Sequence, residues 1–176
     1  LPHPPRCSQK SPSFAYIGAI LLDQISYRES PIGVPLGDRI RNATLATDSP
    51  VPVSRGRGDV VLEVLLPSGM QVVGDVPLLL DHNRGILTSV GSVKGIQAGA
   101  NSIDGQLSFA SRTQAAEEAW ELVNQNHIRT VSAGYRVLEE KEILPGRTAG
   151  VEGRTFKRPA NRYLVVVIRW RLLGGS

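Results

Sequence analysis

The chain has a single cysteine, Cys7, so no intramolecular disulfide can form, and neither a CxxC pair nor Cys/His ligand spacing is present. The expectation is an intracellular protein with no metal or cofactor. Aromatic residues make up only 5% of the 176 positions, which is thin provision for stacking along a single-stranded nucleic acid. Long hydrophobic runs are missing too. The longest, Phe14 to Leu22, has nine residues including Gly18, against the roughly 20 needed to span a bilayer. Although Arg6 and Lys10 precede that run, Asp23-Gln24-Ile25-Ser26 after it is a poor cleavage site, so a secretory signal is disfavoured. Nor is there a dense block of one charge: the net charge is +4 and the arginines are scattered. Such mild basicity suits an acidic or nucleic-acid partner, but an ordinary basic surface is the simpler reading.

What the chain has in quantity is punctuation. Its 18 glycines and 12 prolines divide the sequence into short elements joined by turns, which favours a β-rich fold. The length allows one domain with a core and a tail. Residues 1–38, opening on Leu1-Pro2-His3-Pro4-Pro5, show no sustained period and read as a loosely ordered N-terminal extension. The domain is expected over residues 39–176. Because the chain starts at Leu1 and stops inside a hydrophobic element, truncation at the C-terminus is also expected.

Within the domain, Ile40, Ala43, Leu45, Val51 and Val53 give short β-like alternation around Asp48-Ser49-Pro50. Arg55-Gly56-Arg57-Gly58-Asp59 reads as a turn, since it lacks the Lys-Ser/Thr and helix context of a phosphate-binding loop. Val60 to Leu66 and Val76 to Leu80 read as strands, the second buried on both faces. Thr88 to Ile96 and Gln106 to Phe109 form a hairpin linked by turns that include Asp104-Gly105. One helix is expected over Thr113 to Asn126, with Ser111 as N-cap and Ala116, Ala119, Trp120 and Val123 on one face; His127 is a helix-end residue. Thr130 to Leu138 returns to β-favouring residues, Glu139 to Arg162 reads as a long hairpin or loop, and Tyr163 to Leu173 is the strongest strand signal.

Two residues stand where chemistry would need them. His82 follows the apolar run Val76 to Leu80, at a loop mouth from which a rigid sheet can present a general base. Ser132 lies in Thr130-Val131-Ser132-Ala133-Gly134-Tyr135 and offers a nucleophile. Each taken alone is more often a structural residue.

The order of these elements resembles the prohead (capsid-maturation) serine proteases of tailed bacteriophages. The resemblance covers roughly residues 39–176. It is carried by Pro77-Leu78-Leu79-Leu80-Asp81-His82-Asn83, Gly91-Ser92-Val93, Ala115 to Val123, Val131-Ser132-Ala133-Gly134-Tyr135 and Arg169-Trp170. It implies an α+β, mostly β fold, an antiparallel barrel flanked by one main helix, similar to the herpesvirus assemblin proteases. It also implies His82 and Ser132 as the catalytic pair of an endopeptidase that processes capsid and scaffold proteins, and itself, without metal or cofactor. The expected partners are major capsid protein and scaffold segments, with a homodimer through the helix as an option and neither membrane nor specific nucleic acid. The expected place is an assembling procapsid in the bacterial host cytoplasm, encoded by a phage or an integrated prophage.

Relatives follow the Arg-Trp element with a glutamate shortly before a serine, and here those positions read Gly174-Gly175-Ser176. The acid that would orient His82 is therefore open. Asp81 is adjacent, although neighbours on an extended chain point to opposite faces; Asp75, Asp104 and Glu139 qualify only if the fold brings them near. A Ser-His dyad remains equally defensible. Ala133, Gly134 and Arg136 mark the expected oxyanion region, with Arg129 and Arg136 flanking the serine strand. Two rival readings are a catalytically silent capsid scaffolding module and a small basic nucleic-acid-binding β-barrel.

Overall fold

A computed structural model describes residues 25–55, 60–144, 146–157 and 163–176. Its elements in chain order are β1 (Ile25–Gly37), β2 (Ile40–Thr47), β3 (Val51–Ser54), β4 (Val60–Leu65), β5 (Met70–Gln71), β6 (Val76–Leu79), β7 (Ser89–Ala98), β8 (Ser102–Phe109), α1 (Gln114–Asn124), β9 (Thr130–Ile143), β10 (Thr148–Val151), β11 (Arg154–Lys157) and β12 (Leu164–Gly175). Seven strands close into a barrel in the order β12-β6-β7-β8-β2-β1-β9, with β9 pairing back to β12. Every barrel pairing is antiparallel except β12 with β6. The expected class, mostly β with one main helix, is the observed one. Among the described residues, no helix is long and apolar enough to cross a membrane.

Alternation builds the barrel wall. In β9, Val131, Ala133, Tyr135 and Val137 point into the main core, so Ser132, Gly134 and Arg136 between them face outward. The run Leu164 to Val167 is buried throughout because β12 has a core on each side: Val165 and Val167 join the barrel core, while Leu164 and Val166 join a second cluster with Val64, Leu66, Ile143 and Val151. That second cluster lies where β4 and β12 are covered by the β10–β11 hairpin. Such two-sided burial explains a run with no polar alternation.

A polar network is sealed among these apolar residues. Glu63 is fully buried, and its two carboxylate oxygens accept from the Tyr135 hydroxyl and the Arg55 guanidinium. Arg55 also donates to Glu140 at 2.5 Å. Arg28 donates to the carbonyls of Thr47 (2.6 Å), Glu63 (2.6 Å) and Ser49 (3.3 Å), tying β1 to β4 and to the β2 end.

Helix α1 is capped by Thr113, whose side chain accepts from the Ala116 N–H, rather than by Ser111. Ala116, Ala119 and Val123 face the barrel, and Trp120 packs on Phe109 with ring centroids 5.6 Å apart. Asn126, at φ 59°, ends the helix: its N–H donates to Val123 and that of His127 to Leu122, which is a Schellman arrangement. His127 is the helix-end residue expected.

Two further expectations need correction. The ordered domain starts well before residue 39, since Ile25–Gly37 is a barrel strand; Pro31, Gly33, Pro35 and Gly37 masked its alternation, and the strand absorbs them through irregular pairing with β2. Asp104-Gly105 is not a turn but lies inside β8. There a Cβ on Gly105 would stand 3.1 Å from Val93 and 3.3 Å from Leu45, so close packing is what the glycine serves. Of the hairpin or loop expected over Glu139 to Arg162, the described residues form the hairpin alternative: β9 runs on to Ile143, and β10–β11 pair as a short hairpin. Residues 1–24 and most of the Arg55 to Asp59 turn lie outside the described residues.

Removing the Tyr135 hydroxyl would leave one oxygen of a fully buried carboxylate without its partner. Tyr135→Phe is therefore expected to lower unfolding free energy by about 1–3 kcal/mol in urea titrations. A loss below a few tenths would show that the network contributes nothing net.

Candidate active site

His82 is presented by a strained turn. After β6, Leu80 to Asn83 make a tight reversal closed by the Asn83 N–H on the Leu80 carbonyl at 2.9 Å. Both central residues are left-handed, Asp81 at φ 51° and His82 at φ 54°, the pairing that a type I′ turn requires. Non-glycine residues are uncommon in that region, with Asp and His among the better tolerated. The loop behind the turn is braced. Thr88 Oγ lies 2.7 Å from the carbonyls of both Asn83 and Gly85, which share its one proton, and the Leu80 N–H reaches the Thr88 carbonyl at 2.8 Å.

From this turn the imidazole lies across the outer face of the barrel. Its centroid is 3.9 Å from that of Tyr27 at an interplanar angle of 39°. Beneath both rings is Gly134, where a Cβ would stand 3.3 Å from Tyr27 Cε1 and 3.5 Å from His82 Nδ1. Any larger residue there would crowd the rings. Gly134 and Ser132, two apart on β9, share this outward face.

Strand pairing fixes the surroundings. Across β1, Ser132 stands opposite Glu29 and Gly134 opposite Tyr27. On the other side, Ser132 and Ser176 exchange both backbone hydrogen bonds, at 2.7 and 2.9 Å, and Gly174 faces Gly134. Directly opposite residues project to the same face. Glu29, Ser132 and Ser176 therefore form one row, and Tyr27, Gly134 and Gly174 the next, with the His82 ring above it. Ser176 also reaches the His82 turn, because its Oγ accepts the His82 backbone N–H at 3.0 Å. It is bonded to both candidate residues.

The other expected positions are distributed as follows. Asp81 adjoins His82 in the turn and acts on it through space. Asp104 is on β8, three strands from β9, and accepts from Thr44 and Ser102, each at 2.8 Å. Glu139 accepts from Arg169 at 2.6 Å, farther along β9. Asp75 precedes β6, at the opposite end of that strand from His82. None of these carboxylates hydrogen-bonds the imidazole, and among the described residues no other does. Ala133 points into the core, Arg136 faces outward opposite Arg171, and Arg129 donates to the Asn126 carbonyl at 2.9 Å at the helix-to-strand junction. The Ser132 N–H is already committed to Ser176.

Tyr27, Glu29 and Ser176 are the site residues that sequence reasoning missed. For the first two the available signal was the alternation beginning at Ile25; for Ser176 it was the serine that the relatives' pattern places after Arg-Trp, while its neighbours come from strand pairing.

Burial lowers the His82 pKa from its ordinary 6.5, and the charge of Asp81 offsets part of that shift. A neutral imidazole at pH 7 can accept a proton, as a general base must. The folded value lies below the unfolded one, so the unfolded chain takes up the proton first on acidification. The associated stability is complete above pH 6.5 and is lost as pH falls toward the folded value.

No family model, curated protein or solved structure matches the chain.

The His82 Hε1 resonance is expected to titrate with a midpoint below 6.5, and Gly134→Leu, which fills the space under both rings, should move the midpoint back up. An unshifted midpoint in the variant would mean that the ring does not rest on Gly134.

Proposed function

We propose that the chain is a serine-type hydrolase acting on polypeptides, with Ser132 as nucleophile and His82 as general base. The observation that carries this reading is the His82 ring lying over Gly134, on the face of β9 that displays Ser132. Ser132 Oγ attacks the scissile carbonyl and gives its proton to His82, which returns it to the leaving amine; water then cleaves the acyl-enzyme by the same route. The lowered proton affinity of His82 supports the base role at neutral pH. Proton transfer of this kind accounts for about 10²–10⁴-fold in rate.

The particular enzyme proposed is a prohead endopeptidase of a tailed bacteriophage, which trims scaffold segments from capsid protein and cuts itself inside the procapsid, in the host cytoplasm. Support comes from the motif order and from a barrel with one flanking helix, the architecture that resemblance implies. Major capsid protein and scaffold segments are then the substrates, and a second copy docked on α1 is an optional partner.

One observation favours a catalytically silent scaffolding module instead: the imidazole has no orienting carboxylate among the described residues, and its ring makes no hydrogen bond to Ser132. Resting geometry of this kind often tightens only when substrate binds.

Co-expression with its cognate capsid protein separates the readings. Wild type should process that protein, Ser132→Ala should not, and His82→Gln should lower kcat by about 10²–10⁴-fold. Equal processing by wild type and Ser132→Ala would end the protease reading.

A further inference from the structure

A serine hydrolase needs a donor for the oxyanion as well as a nucleophile and a base. In many sites backbone N–H groups serve. Here β9 is paired on both sides around Ser132: Ser132, Ala133 and Gly134 stand opposite Glu29, Arg28 and Tyr27 on β1, while Ala133 and Gly134 stand opposite Gly175 and Gly174 on β12. The Ser132 N–H itself goes to the Ser176 carbonyl at 2.7 Å. Turning these N–H groups toward substrate would require breaking the ladder.

The geometry points to Ser176 as the oxyanion donor, an assignment that rests on Ser132 being the nucleophile. Ser176 is directly opposite Ser132 in a reciprocally bonded pair, which places the two Cβ atoms about 5 Å apart on one face. A carbonyl carbon bonded to Ser132 Oγ would hold its oxygen in the space between them. A hydroxyl has one proton and two lone pairs. The Ser176 oxygen already accepts the His82 N–H at 3.0 Å, and its own proton has no acceptor among the described residues. Accepting one hydrogen bond polarises the hydroxyl and strengthens its donation. The same bond fixes the direction of Oγ, so the donor is oriented before substrate arrives.

The step balances without a further reactant. As the Ser132 Oγ–carbon bond forms, the carbonyl π pair moves onto oxygen, which accepts from the Ser176 O–H, and the Ser132 proton passes to His82. Collapse of the tetrahedral species breaks the carbon–nitrogen bond, and His82 protonates the departing amine. Ser176 keeps its proton throughout.

The test is the rate of labelling by a fluorophosphonate, whose phosphoryl oxygen occupies the oxyanion position as Ser132 Oγ displaces fluoride. Wild type, Ser132→Ala, Ser176→Thr and Ser176→Val are compared across pH, with thermal unfolding as the check on folding. Thr and Val have the same shape and differ by a hydroxyl. Ser176→Val is expected to label on the order of 10²-fold more slowly than Ser176→Thr, with the same pH midpoint. Should Val not fold at this position, Ser176→Ala takes its place with the same expected loss. Equal rates for the Thr and Val variants, with wild type still labelled at Ser132, overturn the Ser176 assignment alone. A slower Ser176→Val whose pH midpoint has moved also overturns it, since Ser176 would then be holding His82 rather than the oxyanion. Absence of Ser132-dependent labelling in wild type overturns the nucleophile and the donor together.

Discussion

The antiparallel seam between β9 and β12, from Ala133–Gly175 to Ile143–Leu164, closes the barrel, and nearly everything else in the molecule leans on it. On its other edge β12 carries β4, β5 and β6 in parallel, so one strand holds the barrel and its extension together. The seam sets the Trp170 ring edge-on to Tyr135 at 5.6 Å and lets the Trp170 Nε1–H reach the Leu66 carbonyl at 2.9 Å. It joins residues far apart in sequence, so its closure entropy is offset only once both cores are formed. The Ser132–Ser176 pair continues the same seam, which means that stability and site assembly share one set of contacts.

The two faces of β9 have different tasks. Inward, Tyr135 joins Glu63 and Arg55 in a sealed polar network. Burying those charges costs desolvation that only complete partnering offsets, and a network with so few alternative arrangements favours one register over its neighbours. Outward, the adjoining Gly134 is bare so that two rings can rest on it. A one-residue slip of β9 would expose the tyrosine and bury the serine.

Strain is concentrated at the His82 turn. Two successive left-handed non-glycine residues cost on the order of 1–3 kcal/mol each, and such conformations persist only where the surroundings over-determine them. Here the surroundings are the Thr88 brace, the Tyr27 ring and the Ser176 hydroxyl. The turn is thus held from three separate elements, which fixes the ring where an unstrained loop would let it swing.

Local pattern carried much of this. The apolar run from Tyr163, the Ala116, Ala119 and Val123 stripe, and the return to β-favouring residues at Thr130 each announce their element, because burial on one face imposes a period on the residues themselves. His82 at the end of an apolar strand and Ser132 in the strand after the helix were legible for the same reason. The prolines and glycines of β1 hid a barrel strand, and with it Tyr27 and Glu29. The sequence by itself determined which residues alternate inward and outward in its clearly periodic elements, α1, β9 and β12. Only the tertiary structure decided that Glu29, Ser132 and Ser176 form one row with His82 beside them, because the neighbours of a strand residue are set by how the barrel closes.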